Sequence, residues 1–243
     1  MKNKPTIVLV RPQLPENIGL SARAMENCDL NNLFLVSPRE KWPNKISIQS
    51  SANSSKIIKK AKVFNNLDNA LSSFHYVVAT SNRKRFLNKP QINNFDELFK
   101  KIPKNKKIAI IFGPENSGLS NEDLMLADLI LNINLSNSNR SLNLSHAVLL
   151  FSYKWYEYFN SQKSNSNLKS EFENIASKEE FNFFMNYLKK ELDESGFLYP
   201  KQKSVKMFNN IKTIFLRSSL SKIEIKTLWG MLKKLSKKRK LNS

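Results

Sequence analysis

The sequence contains little glycine, cysteine or histidine. Its 243 residues include five Gly, one Cys and two His. The single cysteine, Cys28, excludes an intramolecular disulfide and indicates a reducing compartment, and two histidines leave few ligands for a transition-metal site. The apolar run at residues 6–10 is too short for a signal peptide, and no later run approaches the roughly 18 residues that span a bilayer. We therefore expect a cytoplasmic protein with no membrane segment and no metal.

The charge of the chain is strongly unbalanced. Lys and Arg number 40 against 20 Asp and Glu, which gives a formal net charge of +20 and a pI near 10.0. Such a charge produces a positive field that attracts polyanions, so the composition favours nucleic acid as the partner. A general lysine bias of the source proteome is the alternative explanation. Hydrophobic residues make up 40% of the chain, enough to form a buried core.

Short β-branched apolar runs recur through the first half of the chain. Continuous runs of this length suit strands that are covered on both faces, with helices between them. The pattern therefore predicts an α/β fold with a parallel sheet. The predicted strands are residues 6–10, 32–36, 76–80, 107–112 and 129–135.

A polar stretch without periodicity separates this half from the C-terminal part. We predict a first domain at residues 1–160, a linker at 161–176 and a small all-helical domain at 177–243. Capping boxes at Ser177/Glu180 and Ser221/Glu224 predict two of its three helix starts. Two apolar stripes predict its core: Phe181, Phe184, Leu188 and Leu192, and then Ile225, Leu228, Leu232 and Leu235.

Three of the five glycines follow predicted strands. Gly19, Gly113 and Gly118 therefore indicate ligand contact at the carboxyl ends of the sheet, with a structural turn as the alternative. The spacing of Gly113 and Gly118 resembles a Walker A loop, but Leu119 stands where the phosphate-binding lysine belongs. No G-x-G-x-x-G pattern is present either. A nucleoside triphosphatase or a dinucleotide-dependent dehydrogenase is therefore not expected.

The stretch PENIGLSARAM predicts a helix that starts near Pro15. One face carries the apolar residues that can pack on the sheet: Ile18, Ala22 and Met25. Gly19 lies on the opposite face with Glu16 and Arg23, so we expect the glycine to clear a groove beside the guanidinium group. An exposed arginine that is merely solvated is the alternative.

Two further polar stretches follow predicted strands. Ser141 and Asn143 stand at the start of a helix that begins near Leu142, where unpaired N–H groups can hold an electron-rich ligand atom, although a simple N-cap is the alternative. Arg83 and Arg85 follow the strand at residues 76–80 and could clamp phosphates, although a solvated charge run is the usual explanation.

Three segments of the chain, taken in order, carry a family resemblance. The segments NIGLSARAM (17–25), FGPENSGL (112–119) and SLNLSHAV (141–148) resemble the three motifs of the SpoU/TrmH class of SPOUT RNA 2′-O-methyltransferases. The resemblance covers roughly residues 5–160. The segment ATSNRKR and the C-terminal helices, which include GFLYP (196–200), are most similar to the TrmJ branch of this class.

The resemblance implies a fold, a cofactor and an assembly. The C-terminal part of the sheet would form a deep trefoil knot that binds S-adenosylmethionine, and a homodimer would complete each site. Its implied cofactor-binding residues are Thr80, Ser81, Asn82, Gly113, Ile133, Arg140, Ser141 and Leu142. Its implied catalytic residues are Asn17, Arg23, Glu115, Ser141 and Asn143, and its implied RNA-binding residues are Glu16, Arg23, Arg83 and Arg85.

The resemblance also implies a reaction and a substrate. The expected activity is methyl transfer to the ribose 2′-hydroxyl of cytidine or uridine at position 32 of the tRNA anticodon loop. A guanidinium group is a poor base because its pKa exceeds about 12, so we expect Arg23 to clamp a phosphate and stabilise alkoxide charge. The alternatives are a related enzyme that acts on ribosomal RNA or the wobble nucleotide, and a non-catalytic RNA-binding module.

Overall fold

The apolar runs of the first half form one parallel sheet. The computed structural model describes residues 4–82, 89–136, 141–161 and 175–240. Within these residues seven strands pair in the order β3-β2-β1-β6-β4-β7-β5, and every pairing is parallel. The strands are β1 (Thr6–Val10), β2 (Asn32–Val36), β3 (Lys62–Phe64), β4 (Tyr76–Thr80), β5 (Gln91–Ile92), β6 (Ile108–Phe112) and β7 (Leu129–Leu131).

The five predicted strands are confirmed, with two errors of length: β6 begins at Ile108, one residue later than predicted, and β7 is shorter than predicted. β7 ends at Leu131, whereas the sequence predicted a strand to residue 135. The sequence also missed β3 and β5, which are the short strands at the two edges of the sheet. Each has two or three residues, so neither shows enough periodicity to be recognised in the sequence.

Helices cover both faces of the sheet. They are α1 (Pro15–Asn27), α2 (Lys45–Ser50), α3 (Ser55–Lys60), α4 (Leu67–Leu71), α5 (Phe95–Lys101), α6 (Asn121–Met125) and α7 (Leu144–Ser161), with a 3-10 turn at Ala52–Ser54. Alternate residues of each strand point to opposite faces, so Ile7 and Leu9 pack under α1 and α7 while Val8 and Val10 face α4 and α6. Burial on both faces explains why the strands are continuously apolar.

Three helices form the C-terminal part: α8 (Lys178–Glu194), α9 (Lys201–Arg217) and α10 (Lys222–Lys240). Both predicted capping boxes are present, at Ser177/Glu180 and at Ser221/Glu224. The predicted stripes enclose a separate apolar core, except that Leu235 is 65% exposed and does not belong to it. Leu235 is on the last turns of α10. No helix in the described part of the chain is long and apolar enough to cross a membrane.

The start of α8 is fixed to the sheet by a buried ion pair. The Lys178 ammonium group pairs with Asp128, which directly precedes β7, and the side chains of both residues are less than a tenth exposed. Asp128 also accepts a hydrogen bond of 2.7 Å from the backbone N–H of Val77. The backbone N–H of Lys178 donates to the carbonyl of Phe74 at 2.7 Å. The C-terminal helices therefore dock at the amino ends of β4 and β7.

A second buried lysine, Lys89, caps the short helix α6. Its ammonium group donates to the backbone carbonyls of Met125 and Ala127. Burial lowers the pKa of Lys89 to about 7, with a further decrease from the charges of Lys178 and Lys212 and an opposing effect of Asp128. A neutral amine retains two N–H groups, so it can still make both hydrogen bonds.

We expect Lys89 to make the stability of the protein increase with pH. Its folded pKa lies below the value of about 10.4 in an unfolded chain, so the folded protein binds fewer protons between pH 7 and pH 10. The melting temperature of the wild type relative to that of Lys89→Met should therefore rise across that range. The exposed control Lys104→Met should melt in parallel with the wild type, and parallel curves for Lys89→Met would contradict the assignment.

Candidate active site

A carboxylate from one loop holds the neighbouring loop at the carboxyl edge of the sheet. Glu115 lies in the loop after β6, between Phe112 and α6. Its side chain accepts hydrogen bonds from the backbone N–H of Gln13 at 2.8 Å, the backbone N–H of Leu14 at 3.3 Å and the Asn17 amide at 2.7 Å. Glu115 therefore fixes the two residues that precede α1 and, through the Asn17 side chain, the first turn of the helix.

The side chain of Asn17 extends this contact to a third segment. Asn17 is 3% exposed, and its Oδ1 accepts a hydrogen bond of 2.9 Å from Nδ2 of Asn143. Asn143 in turn caps α7, because its Oδ1 accepts from the backbone N–H and the hydroxyl of Ser145 at 2.8 and 2.7 Å. Glu115, Asn17 and Asn143, which we call the polar relay, thus join three segments that are far apart in the sequence.

An ion pair between Arg11 and Asp123, which the sequence did not predict, also holds the loops after β1 and β6 together. Arg11 follows β1 directly, and its guanidinium group binds Asp123 of α6 with two nitrogens. Asp123 also accepts from the backbone N–H of Ser120 as part of a capping box. The position of Arg11 immediately after a buried strand was the available signal, because side chains there lie at the carboxyl edge.

Arg23 lies outside the polar relay. It is exposed on α1 with Glu16, and the described residues form neither a hydrogen bond nor an ion pair with it. Six residues separate it from Asn17, which corresponds to about 9 Å along the helix. Within one chain, therefore, the structure brings together Asn17, Glu115 and Asn143 but not Arg23.

The predicted groove beside Arg23 is absent, because Gly19 is buried. A Cβ atom on Gly19 would lie 2.0 Å from the Ser50 hydroxyl and 2.3 Å from the carbonyl of Ser47. The glycine thus allows α2 to pack directly on α1, and it clears no space for the guanidinium group. Ile18, Ala22 and Met25 are buried in the core under α1, as predicted.

The two glycines of the 112–119 segment serve the turn itself. A Cβ atom on Gly113 would lie 2.2 Å from the backbone nitrogen of Leu119, so the loop folds back on its own start. Gly118 has a φ of 65°, which favours glycine. The structural alternative therefore accounts for both glycines, and the part of Gly113 in cofactor binding stays a prediction.

The predicted cofactor residues lie at the carboxyl ends of three strands. The hydroxyl of Thr80 donates to the carbonyl of Ile111 at 3.1 Å, and the backbone N–H of Ser81 donates to Leu131 at 3.1 Å. The side-chain oxygen of Asn82 accepts from the backbone N–H of Ile133 at 2.8 Å, and Ile133 is 7% exposed. These contacts tie the ends of β4, β6 and β7 to one another.

The remaining predicted residues lie beside α7 or outside the described residues. Ser141 is exposed and Leu142 is half-buried, and both directly precede the cap of α7 at Asn143. The helix begins at Leu144, two residues later than the sequence predicted. Arg83, Arg85 and Arg140 lie outside the residues that the structure describes.

We expect Glu115→Ala to reduce the methyl transfer that the family resemblance implies about 100-fold, because misplacement of reacting groups by about 1 Å has an effect of that size. The variant removes the acceptor that holds Gln13, Leu14 and Asn17. Steady-state kinetics with labelled cofactor would measure the loss. Glu122→Ala, which removes an exposed carboxylate nearby, should have normal activity, and equal activity of the two variants would contradict the role of Glu115.

The chain matches two family models that together cover most of its length. Residues 4–153 match the model of the SpoU rRNA Methylase family, and residues 179–243 match that of the tRNA methyltransferase TrmJ C-terminal domain. The chain is 33% identical to an uncharacterized tRNA/rRNA methyltransferase of Haemophilus influenzae, over 96% of this chain and 94% of that protein. It is 31% identical to the tRNA (cytidine/uridine-2′-O-)-methyltransferase TrmJ of Photorhabdus laumondii, over 95% and 96%.

A solved structure shows the same architecture. The crystal structure of TrmJ from Z. mobilis ZM4 superposes with a TM-score of 0.83 at 32% identity, over 96% of this chain and 99% of that one. The family model covers more than half of this chain and includes every segment of the polar relay. This chain therefore belongs to the SpoU methylase family, carries a C-terminal domain of the TrmJ type and is an RNA methyltransferase.

Proposed function

We propose that this protein transfers a methyl group from S-adenosylmethionine to the ribose 2′-hydroxyl of cytidine or uridine at position 32 of tRNA. The observation that carries the proposal is the polar relay, which gathers one residue of each family motif at the carboxyl edge of the sheet. The TrmJ relative of Photorhabdus laumondii, which is similar along almost the whole chain, is a tRNA (cytidine/uridine-2′-O-)-methyltransferase, and this activity supports the substrate. An enzyme that modifies tRNA would act in the cytoplasm.

The residues at the ends of β4, β6 and β7 fit an adenosyl cofactor. Buried Ile133 and half-buried Leu142 offer apolar surface beside backbone groups, which suits a purine ring. Thr80, Ser81 and Asn82 fix the backbone that would form the wall of the pocket. Because Asn82 already accepts the N–H of Ile133, a purine there must use other backbone groups or replace the Asn82 contact.

When bound, S-adenosylmethionine supplies the electrophilic methyl carbon. The chain has to hold the ribose oxygen in line with it and to stabilise the charge that develops as the hydroxyl loses its proton. The hydrogen bonds of Glu115 orient Asn17, so we assign Glu115 to positioning. Ser141 and Asn143 stand at the start of α7, where helix N–H groups favour an electron-rich atom.

We also propose that the active protein is a homodimer. α1 and α7 pack on each other, yet they leave large apolar side chains exposed: Leu14, Leu20, Leu149, Tyr153 and Tyr156. A second copy on this face would cover them and would bring the exposed Arg23 of one chain towards the relay of the other. Arg23 would then bind the phosphate of the target nucleotide, with Glu16 beside it and Arg83 and Arg85 as further RNA contacts.

The trefoil knot is part of the same proposal. Hydrogen bonds from Ser81 to Leu131 and from Ile133 to Asn82 hold the segment after β4 against the segment after β7. Chain segments in a knot of this family would cross at that place, and Arg140 would lie in the second of them. The close contact of the two segments supports such a crossing.

The experiment is methyl transfer with labelled S-adenosylmethionine and unmodified tRNA transcripts, followed by digestion to locate the label. A transcript with a 2′-deoxynucleotide at position 32 should accept no methyl group, and one with the same change at position 34 should be methylated normally. Methylation of the transcript with the change at position 32 and not of the one with the change at position 34 would assign the wobble nucleotide as the target. Label on ribosomal RNA alone would move the substrate, and RNA binding without any label would indicate a non-catalytic module.

A further inference from the structure

An exposed group of aromatic rings lies on the C-terminal helices. Phe183 and Tyr187 of α8 both stack on Trp229 of α10, with ring centroids 5.1 and 4.7 Å apart and interplanar angles of 18° and 13°. We call these three residues the aromatic stack. Phe183 is 69% exposed, so most of its ring meets solvent.

The core of the helical part does not require the Phe183 ring. The core contacts of α8 come from the opposite face of the helix, through Phe181, Phe184 and Leu188. Phe183 is not part of this core, and its ring stacks on Trp229. A large ring held flat and left in water has a π face available to a planar ligand.

The surroundings of the stack are strongly basic. Residues 178–240 contain sixteen Lys and Arg against six Asp and Glu, which accounts for half of the net charge of +20. At 100° per residue, Lys222, Lys226 and Lys233 lie within about 60° of Trp229 on α10. All three are exposed. A polyanion next to the stack would therefore find cations spaced along α10.

The charges beside the aromatic stack differ between α8 and α10, and this difference favours one path for the phosphates of a bound strand. The side of α8 next to Phe183 carries Glu179, Lys190 and Glu194, and Lys222 forms an ion pair with Glu180 at 3.0 Å. These residues leave one net negative charge beside Phe183 on α8, so phosphates would be attracted more strongly along α10. A strand whose backbone follows α10 could still place a base against Phe183.

We propose that the aromatic stack is a platform for an unpaired base of the RNA substrate, with the lysines of α10 on the flanking phosphates. Aromatic rings beside cations suit single strands, because each unpaired base offers a π face while bases in a duplex are already stacked. The high positive charge of the unit opposes a second copy of itself as the occupant. The inference rests on the proposed RNA substrate.

The test measures the affinity of the full-length protein for unmodified tRNA, for oligouridine and for a duplex RNA. Phe183→Ala should weaken binding of tRNA and of oligouridine about ten-fold and leave duplex binding unchanged. Phe183→Leu should bind as weakly, because it keeps an apolar side chain without a π face. The salt slope should stay unchanged for both, whereas Lys226→Gln with Lys233→Gln should lower it by about 1.4.

The matched control is Ile223→Ala, since Ile223 is also 69% exposed and lies on another face of α10. Equal affinities of Phe183→Ala and Ile223→Ala would overturn the inference, as would an equal loss of duplex binding or a change of oligomeric state in sedimentation. Failure of the proposed function can be distinguished from failure of this inference. If the wild type methylates ribosomal RNA and not tRNA, loss of oligouridine binding in Phe183→Ala still supports the platform.

Discussion

Arg23→Ala is expected to abolish methyl transfer while the affinity for S-adenosylmethionine stays within a few-fold of the wild type. Arg23 is exposed on α1 and lies outside the polar relay, so its loss leaves the fold and the predicted cofactor residues intact. The expected defect is loss of the clamp on the target phosphate and of charge stabilisation in the transition state. Single-turnover kinetics and calorimetric titration of the cofactor would separate the two effects.

Two further variants make this result specific. Arg23→Lys keeps the charge but loses the planar fork that binds a phosphate with two hydrogen bonds, so it should recover only part of the activity. Lys60→Ala removes an exposed cation from the end of α3 and should have normal activity. Undiminished turnover by Arg23→Ala would remove Arg23 from the site.

Lys178→Met should lower the free energy of unfolding by about 3–5 kcal/mol, because it leaves the carboxylate of Asp128 buried without its cation. Both side chains are less than a tenth exposed, so water cannot replace the lost partner. Urea titration followed by circular dichroism would measure the change. Lys178→Met combined with Asp128→Asn should recover part of the loss, since asparagine can still accept the N–H of Val77.

The matched control is Lys190→Met on the same helix. Lys190 and Glu194 are 4.0 Å apart, and the lysine side chain is 72% exposed. An exposed pair at this spacing contributes at most about 0.5 kcal/mol. If Lys178→Met were no more harmful than Lys190→Met, the buried pair would not be what fixes α8 to the sheet.

The carboxyl ends and the amino ends of the strands contact different parts of the protein. The polar relay lies at the carboxyl ends of the strands, whereas Asp128 and Phe74 bind the start of α8 at the amino ends. A strand of five residues such as β4 spans about 17 Å. An RNA that contacts both the relay and the C-terminal helices of one chain must therefore extend over the full length of the strands. Changes at Lys178 should accordingly affect stability more than catalysis.

Local patterns in the sequence were sufficient for the five inner strands of the sheet and for the starts of α1, α8 and α10. The central strands are continuously apolar because helices cover both faces of the sheet. The starts of α8 and α10 follow from capping boxes, in which the partners are three residues apart. The three motif segments likewise identified the family before their positions in space were known. In each case the deciding contacts are local or repeat along the chain.

Only the tertiary structure decided which polar groups meet. Asn17 is separated by 98 residues from Glu115 and by 126 from Asn143, and no local pattern specifies such contacts. The prediction that Gly19 faces an open groove was wrong for the same reason. Helix α2 covers Gly19, and the α1 segment alone does not reveal this contact. Burial of Lys89, Asp128 and Lys178 also depends on docking of distant elements. The sequence by itself determined the five inner strands, the starts of α1, α8 and α10, and the family. Packing between distant segments determined the hydrogen bonds of the site, because those bonds form only once the sheet has brought the carboxyl ends of its strands together.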